Sequence, residues 1–334
     1  MREDRRQPAS GRYQLKSDPP SASEGDVLSA LERRLGSLHA RQRLGIEREN
    51  ETHIFGTGLN FFHPENWYGA PSFISATLKF LGLYWRGREN AKNVQLRCNT
   101  IVSARLPPAF EGFKILHLSD LHVDTNEGAL SRVVELVPNL DYDICVLTGD
   151  YRGATSGPYS ATLDGMERIQ RALRGPIYAV LGNHDSILMV PGLESFGICV
   201  LLNEAVQIIR AEQRIHLVGI DDAHYFRVDN IEKAAGNVPT DEFSILLSHT
   251  PEVYRQAAHA GFDVMLSGHT HGGQICLPGS IPITLDSVLP RRLGSGPWRY
   301  HGMQGYTSVG AGTSIVPIRL NCLPEITVHE LRRS

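Results

Sequence analysis

Asp120, His122, Asp150, Asn183, His249, His269 and His271 are of the residue types that hold metal ions, and they gather where apolar runs stop. The runs are FKILHLSDLH (113–122), DICVLTGD (143–150), IYAVLGNHD (177–185), RIHLVGIDD (214–222), FSILLSHTP (243–251) and FDVMLSGHTHGGQ (262–274). Each reads as a buried strand. Five of the six end in a cluster of Asp, His or Asn, and the fourth ends in Asp221–Asp222. Active sites of α/β sheets collect at the carboxyl ends of strands. Nitrogen and oxygen ligands gathered there call for metal ions.

Seven such ligands are too many for one zinc-like ion, which takes four. They suit two ions sharing a ligand, held roughly 3.5–4 Å apart. Asp150 is the natural bridge, because a carboxylate accepts from two cations and Gly149 before it lets the backbone turn tightly. The set holds no thiolate, so it suits manganese, iron, zinc, cobalt or nickel. His184, between Asn183 and Asp185, could protonate a leaving oxygen, with the neighbouring carboxylate fixing its tautomer. Taken singly these residues have plain structural explanations: Gly-Asp is common in turns, and a lone His is usually satisfied by a neighbour. Gly-His-x-His is more specific, since two imidazoles two apart on extended backbone point the same way. The ordered combination carries the argument.

Asp120-x-His122, Gly149–Asp150, Gly182–Asn183–His184–Asp185, His249 and Gly268–His269–Thr270–His271 resemble the five motif blocks of the calcineurin-like metallophosphoesterases, in order and with no ligand position missing. The resemblance spans about residues 100–334. The wording LSDLH, LTGD, VLGNHD, LSHTP and LSGHTHGGQI, with the segment 309–331, is similar to the bacterial YaeI-type phosphodiesterase branch. That resemblance implies a four-layer α/β/β/α sandwich. It implies Asp120, His122 and His271 on a first metal, and Asn183, His249 and His269 on a second. Asp150 would bridge them, with a water or hydroxide as nucleophile. His184 would act on the leaving group, oriented by Asp185. The branch includes membrane-associated enzymes, and a relative cleaves the diphosphate of UDP-diacylglucosamine.

The 334 residues suffice for one large domain or two modest ones. A hydrophobic share of 41% and a charged share of 21% describe an ordinary globular chain. A net charge of −3 gives no footprint for nucleic acid. The five cysteines are scattered and form no disulfide framework, which points to a reducing, cytoplasmic setting. MREDRRQPAS carries paired arginines but no apolar stretch follows, and no run is long enough to span a membrane.

The chain divides into three stretches. Residues 1–50 read as a polar, partly disordered extension, with Ser23–Asp26 resembling a capping box and Leu28, Leu31, Leu35 and Leu38 at the spacing of a short surface helix. Residues 51–99 are aromatic-rich. Within 54–86, Phe61, Phe62, Trp67 and Tyr68 precede a helical face of Ile74, Leu78, Leu81 and Trp85, with Arg86, Arg88 and Lys92 following. Such a segment either lies in a membrane interface or packs on the catalytic domain. Residues 100–334 form that domain, its strands alternating with helices over 129–137, 160–174 and 252–260. Residues 275–306 read as an irregular insertion whose Arg291, Arg292 and Arg299 could meet phosphate, as could Arg152. Asp221, Asp222 and His224 read as turn or supporting residues.

The expected activity is hydrolysis of a phosphodiester or diphosphate by metal-activated water, with a lipid-linked substrate such as UDP-diacylglucosamine favoured. A soluble nucleotide phosphodiesterase or a phosphoprotein phosphatase is the alternative. A non-catalytic scaffold of the same fold is the rival from another class, and it is disfavoured because no ligand has been lost.

Overall fold

The computed structural model describes residues 24–50 and 70–334. The polar tail, Ser23 of the capping box, and Phe61, Phe62, Trp67 and Tyr68 lie outside the described residues. Four helices come first: α1 (Glu24–Leu35), α2 (Ser37–Asn50), α3 (Ala70–Phe80) and α4 (Tyr84–Lys92). Then follow β1 (Gln95–Val102), β2 (Lys114–Leu118), α5 (Glu127–Leu136), β3 (Ile144–Thr148), α6 (Ser160–Ala172), β4 (Ile177–Val180), α7 (Val190–Ser195) and β5 (Ile198–Val200). The second half runs β6 (Glu204–Arg210), β7 (Gln213–Gly219), α8 (Ile231–Ala235), β8 (Ser244–Leu247), α9 (Tyr254–His259) and β9 (Val264–Ser267). It closes with β10 (Cys276–Leu277), β11 (Ile281–Pro282), β12 (Gly296–Tyr300), β13 (Met303–Thr307) and β14 (Glu325–Arg332).

All six apolar runs are strands, and their continuous hydrophobicity has a direct cause: both of their faces are covered. One six-stranded sheet has the order β1-β14-β2-β3-β4-β5, the other β12-β13-β9-β8-β7-β6. Along β3, Ile144 and Val146 enter the core between the sheets, while Cys145 and Leu147 enter the outer core beneath α5 and α6. Along β8 and β9, Ile245, Leu247, Val264 and Leu266 face the inter-sheet core, and Leu246 and Met265 face α9. This alternation resolves an α/β/β/α sandwich of four layers. The parallel strands β2-β3-β4 and β7-β8-β9 all deliver their carboxyl ends to one rim.

Four expectations change. The stretch read as a short surface helix is a pair, broken at Gly36 (φ 91°), with Leu31, Leu35, Ala40 and Leu44 buried in the outer core of the first sheet. The boundary read at 99/100 falls inside β1, which pairs with β14 from Gln95 onward. The face of Ile74, Leu78, Leu81 and Trp85 is split. Ile74 and Leu78 pack with Ile318 and Leu320, whereas Leu81 is 57% and Trp85 70% exposed. The 275–306 insertion is not irregular throughout, because β12 and β13 extend the second sheet past β9.

Between the sheets His117 is fully buried, its Nε2 2.8 Å from Thr148 Oγ1 and its Nδ1 3.2 Å from His329 Nε2. Burial drives its pKa down to about 3. The ring stays neutral in the folded protein while the unfolded chain takes up a proton near pH 6.5. Stability is therefore full above that pH and is lost as pH falls toward 3, by about 1.4 kcal/mol per pH unit for this group. Chemical denaturation at pH 7, 6 and 5 should show the loss, and His117→Phe should make the slope shallower; an unchanged slope would remove His117 from the account.

Candidate metal centre

The loops after β2, β3, β4, β8 and β9 bring the sequence-selected residues together in one buried cluster. Asp120, His122 and His271 converge as one potential metal-holding group, and Asp150, His249 and His269 as another. Asn183 joins the second, its Oδ1 2.9 Å from His249 Nε2. Asp150 stands between the groups: its Oδ2 lies 3.2 Å from His249 Nε2 and 3.9 Å from His122 Nε2. His184 is at the same place, 4.0 Å from Asp150 Oδ2.

Backbone geometry aims these side chains. Asp120 (φ 49°), His122 (39°), Asp150 (56°), His269 (71°) and His271 (49°) all occupy the left-handed region, at a cost of roughly 1–3 kcal/mol each. A chain leaving a strand in this conformation turns sharply, so the side chain points inward over the sheet end. The turns are pinned by the ladder continuing past the strands: Asp120 N donates to Gly149 O and His122 N to Asp150 O, both at 3.0 Å. Gly182 is required by contact, because any side chain there would run into the Asp150 carboxylate.

The electrostatics of the cluster favour positive charge at its centre. His122 Nδ1 donates to Arg152 O and His249 Nδ1 to Thr148 O, both at 2.7 Å. Each ring thus turns its Nε2 inward, as metal-ligating histidines do. His122 Nε2 meets His271 Nε2 at 3.1 Å, and His249 Nε2 meets His269 Nδ1 at 3.1 Å. Burial pushes His122 down to about 4, and burial with neighbouring cations holds His269 and His271 well below the usual histidine range. These are neutral donors. Burial and the Asp150 charge outweigh the pull of His249 and lift Asp120 to about 6. Burial works against a charged His249 as well, but the Asp150 carboxylate beside it prevails and raises it to about 10. Asp150 itself is pushed up by burial, yet His249, His184 and His122 hold it well below the carboxylate range. Converging lone pairs around two buried carboxylates demand positive charge, and the donor set fits divalent cations.

Asp185 corrects one expectation. Its carboxylate does not reach the His184 ring, whose Nδ1 donates to Gly153 O at 2.8 Å. Asp185 instead accepts from the backbone N–H of Asp150 (2.8 Å), Tyr151 (2.9 Å) and Gly182 (2.9 Å), fixing the β3 and β4 loops to one another. Arg152 is a second correction. It is buried, and its guanidinium is spent on the carbonyls of His184, Thr155 and Gly157. Asp222 closes a turn by accepting from Tyr225 and Phe226 N–H, both at 2.7 Å. The His224 ring lies against that of His269, centroids 4.1 Å apart and planes tilted by 47°, with Nδ1 3.0 Å from Glu252.

Sequence reasoning missed Arg319, Arg43 and Glu47. Arg319, wholly buried, donates to His271 O (3.2 Å), Val309 O (2.7 Å) and Gly312 O (2.7 Å), clasping the His269–His271 turn. Its signal was an arginine inside the apolar run IVPIRL.

Such a centre, lodged on the carboxyl rim of two stacked sheets, defines a metal-dependent hydrolase. The profile of the calcineurin-like phosphoesterases matches residues 113–273. The chain is 30% identical over 266 residues to the uncharacterized metallophosphoesterase YkoQ of Bacillus subtilis, covering 77% of this chain and 97% of that one. It is 31% identical over 229 residues to the phosphodiesterase YaeI of Escherichia coli, covering 66% and 82%. It is also 31% identical over 250 residues to the transmembrane protein with metallophosphoesterase domain of Danio rerio, covering 69% of this chain and 55% of that one. The chain belongs to the calcineurin-like metallophosphoesterases, in the branch that contains YaeI, and is a metal-dependent phosphohydrolase.

Arg319→Ala should leave the His271 and Val309 carbonyls buried without a donor, at about 1–3 kcal/mol each. The denaturation midpoint should fall accordingly, and a midpoint equal to that of the parent would refute the clasp.

Proposed function

We propose that the chain hydrolyses a phosphodiester or diphosphate bond on a lipid-linked substrate, using two divalent ions held by Asp120, His122 and His271 on one side and Asn183, His249 and His269 on the other, with Asp150 between them. When bound, such ions would supply the charge that acidifies a water and neutralises phosphoryl oxygens. Manganese, iron, zinc, cobalt and nickel all suit the donors. His184 would act on the leaving oxygen. With Nδ1–H committed to the Gly153 carbonyl, Nε2 is the atom left to hold and deliver a proton.

One observation carries the lipid-linked reading: the chamber in front of the centre. It encloses about 460 Å³, and Asp150, Asn183, His184, His269 and His271 form part of its wall. Much of the remaining lining is apolar, from Ile74 and Leu78 of α3 with Ile275, Ile283, Ile315 and Val316. No lysine or arginine among the described residues lines it. A phosphopeptide would bring further anionic side chains into a chamber without cations to meet them, and a soluble cyclic nucleotide would leave the apolar part of the lining unfilled. A hydrocarbon-bearing phosphoester would bury its chain, at about 0.8 kcal/mol per methylene. The arginines expected to meet phosphate do not serve this wall: Arg291 donates to Pro282 O and Arg299 to Gln304.

Peripheral membrane contact fits the same side. Phe73, beside the chamber, is 66% exposed and Phe80 91%. Lys79 stands over the Tyr84 ring at 4.8 Å, close to the exposed Trp85, a pairing of cations and aromatics suited to a lipid headgroup layer. No helix among the described residues is long and apolar enough to cross a membrane.

Metal-stripped protein refilled with manganese should hydrolyse bis-p-nitrophenyl phosphate. Asp150→Ala should abolish turnover and His184→Ala should lower kcat by about 10²–10⁴-fold. Absence of turnover with metals bound would count against the assignment. Diphosphate substrates such as UDP-diacylglucosamine should exceed cyclic nucleotides and phosphopeptides in kcat/KM, and anionic vesicles should carry the protein upward in flotation. The reverse preference would leave the phosphohydrolase standing and remove the lipid.

A further inference from the structure

His39, Arg43 and Glu47 stand four residues apart on α2, along one face of the helix. All three engage strand-end loops of the catalytic rim. Arg43 is wholly buried. Its Nη2 donates to Asp185 O at 2.8 Å, and its guanidinium lies 3.4 Å from the centroid of the Phe226 ring. Nη1 faces Glu47 Oε1 at 3.2 Å, and Nε faces Asp221 Oδ1 at 3.4 Å. Glu47 accepts from Ile187 N and Ser186 Oγ, both at 2.8 Å. His39 Nε2 lies 2.9 Å from Asp221 Oδ2. The loop after β4, which carries Asn183, His184 and Asp185, is thereby tied from behind to α2. The loop after β7, in the other sheet, is tied to the same helix through Asp221.

We propose that Arg43 and Glu47 are positioning residues for the metal centre, and that α2 is a working part of it although it lies far outside the family-matched segment 113–273. Neither touches the reacting groups. They act through Asp185, whose carboxylate holds the Asp150, Tyr151 and Gly182 backbone, and through Ser186 and Ile187, which end the turn bearing Asn183 and His184.

The chemistry supports a positioning task over simple adhesion. A helix that needed only to adhere would present leucine, as α2 does with Leu44. Burying a guanidinium is costly unless it is paired, and Nε and Nη1 of Arg43 make no well-formed hydrogen bond. Two carboxylates and an aromatic face surround it instead. What this arrangement gives that an apolar contact cannot is direction. The Nη2 bond of Arg43 fixes the Asp185 carbonyl, and the carboxylate of Glu47 fixes two successive residues of the same loop. A supporting shell of this kind governs metal affinity by about 10–100-fold where it has been altered.

The inference rests on Asn183 and His184 belonging to the centre and is independent of the substrate. It is tested with Arg43→Met and Glu47→Gln in the full chain, with Arg43→Lys and Ser186→Ala as milder variants should either fail to fold. Three readouts apply. Amide hydrogen exchange in metal-free protein should quicken at least tenfold at Ile187 and its neighbours, with the β2 and β8 amides unchanged. Manganese titration should show one of two binding steps weakened about tenfold or more. Turnover of bis-p-nitrophenyl phosphate should lose kcat at least tenfold while KM stays within about twofold, with Arg43→Lys recovering part of the loss. Folded variants with parental exchange at 183–187 and parental metal affinity would overturn the proposal. So would uniform acceleration of exchange across the whole domain, since that is the mark of lost stability alone. Parental protein that binds metal but lacks turnover would sink the activity assignment and leave the exchange and titration readouts to decide this one.

Discussion

The structure is organised around a charge deficit. Asp120 and Asp150 are brought out of water and surrounded by imidazoles whose free nitrogens face one another at 3.1 Å. No arrangement of neutral groups resolves such a centre, since each lone pair repels the next and each carboxylate has lost its hydration. A proton on His249 is the partial remedy available to the protein alone, and the raised affinity of that ring for a proton expresses the same demand that a divalent ion would meet. Everything near the centre serves to hold ligands where they would otherwise fly apart. The sheets supply rigid strand ends, the left-handed turns supply direction, and Asp185 and Arg319 fasten the turns by their backbone.

Much of this was legible in the sequence. The six apolar runs read as strands because a strand covered on both faces needs no polar alternation, and the candidate ligands stood out by ending those runs. The four layers followed from the resemblance, and the geometry agrees; the residues the resemblance picks out also come together in one buried cluster. Helices over 129–137 and 160–174 were evident from their stripes, and the observed spans, Glu127–Leu136 and Ser160–Ala172, differ only at the ends.

What escaped was contact between segments distant in the chain. Asp185 stands next to His184 in sequence, which invites a carboxylate–histidine pair; the backbone turn sends the carboxylate toward the β3 loop instead. Arg152 follows Asp150 closely, which invites a phosphate contact, yet its guanidinium curls back onto three carbonyls. The helix pair of residues 24–50 read as a short surface helix, and Arg33, Arg34, Arg41 and Arg43 lie along it. One of those arginines is among the most deeply buried side chains in the protein. Composition cannot tell a solvated arginine from one enclosed by two carboxylates and a phenyl ring, for the enclosing residues lie elsewhere in the sequence. The edge strands β12 and β13 were hidden in the same way, since Gly and Pro there mark the turns of a sheet edge as readily as a loop.

The order of strands in the first sheet has a bearing on how the chain comes to be assembled. Strand β14 lies between β1 and β2, parallel to the one and antiparallel to the other. During synthesis it emerges after every other described strand. Until it does, β1 has no neighbour and β2 presents a bare edge, with the second sheet already made. The loop from Ser308 to Gly312, which closes over Asp120 and Ser119, also waits for it. A chain that has not yet presented β14 would leave the edges of β1 and β2 bare and the Ser308–Gly312 loop without its Glu325 anchor.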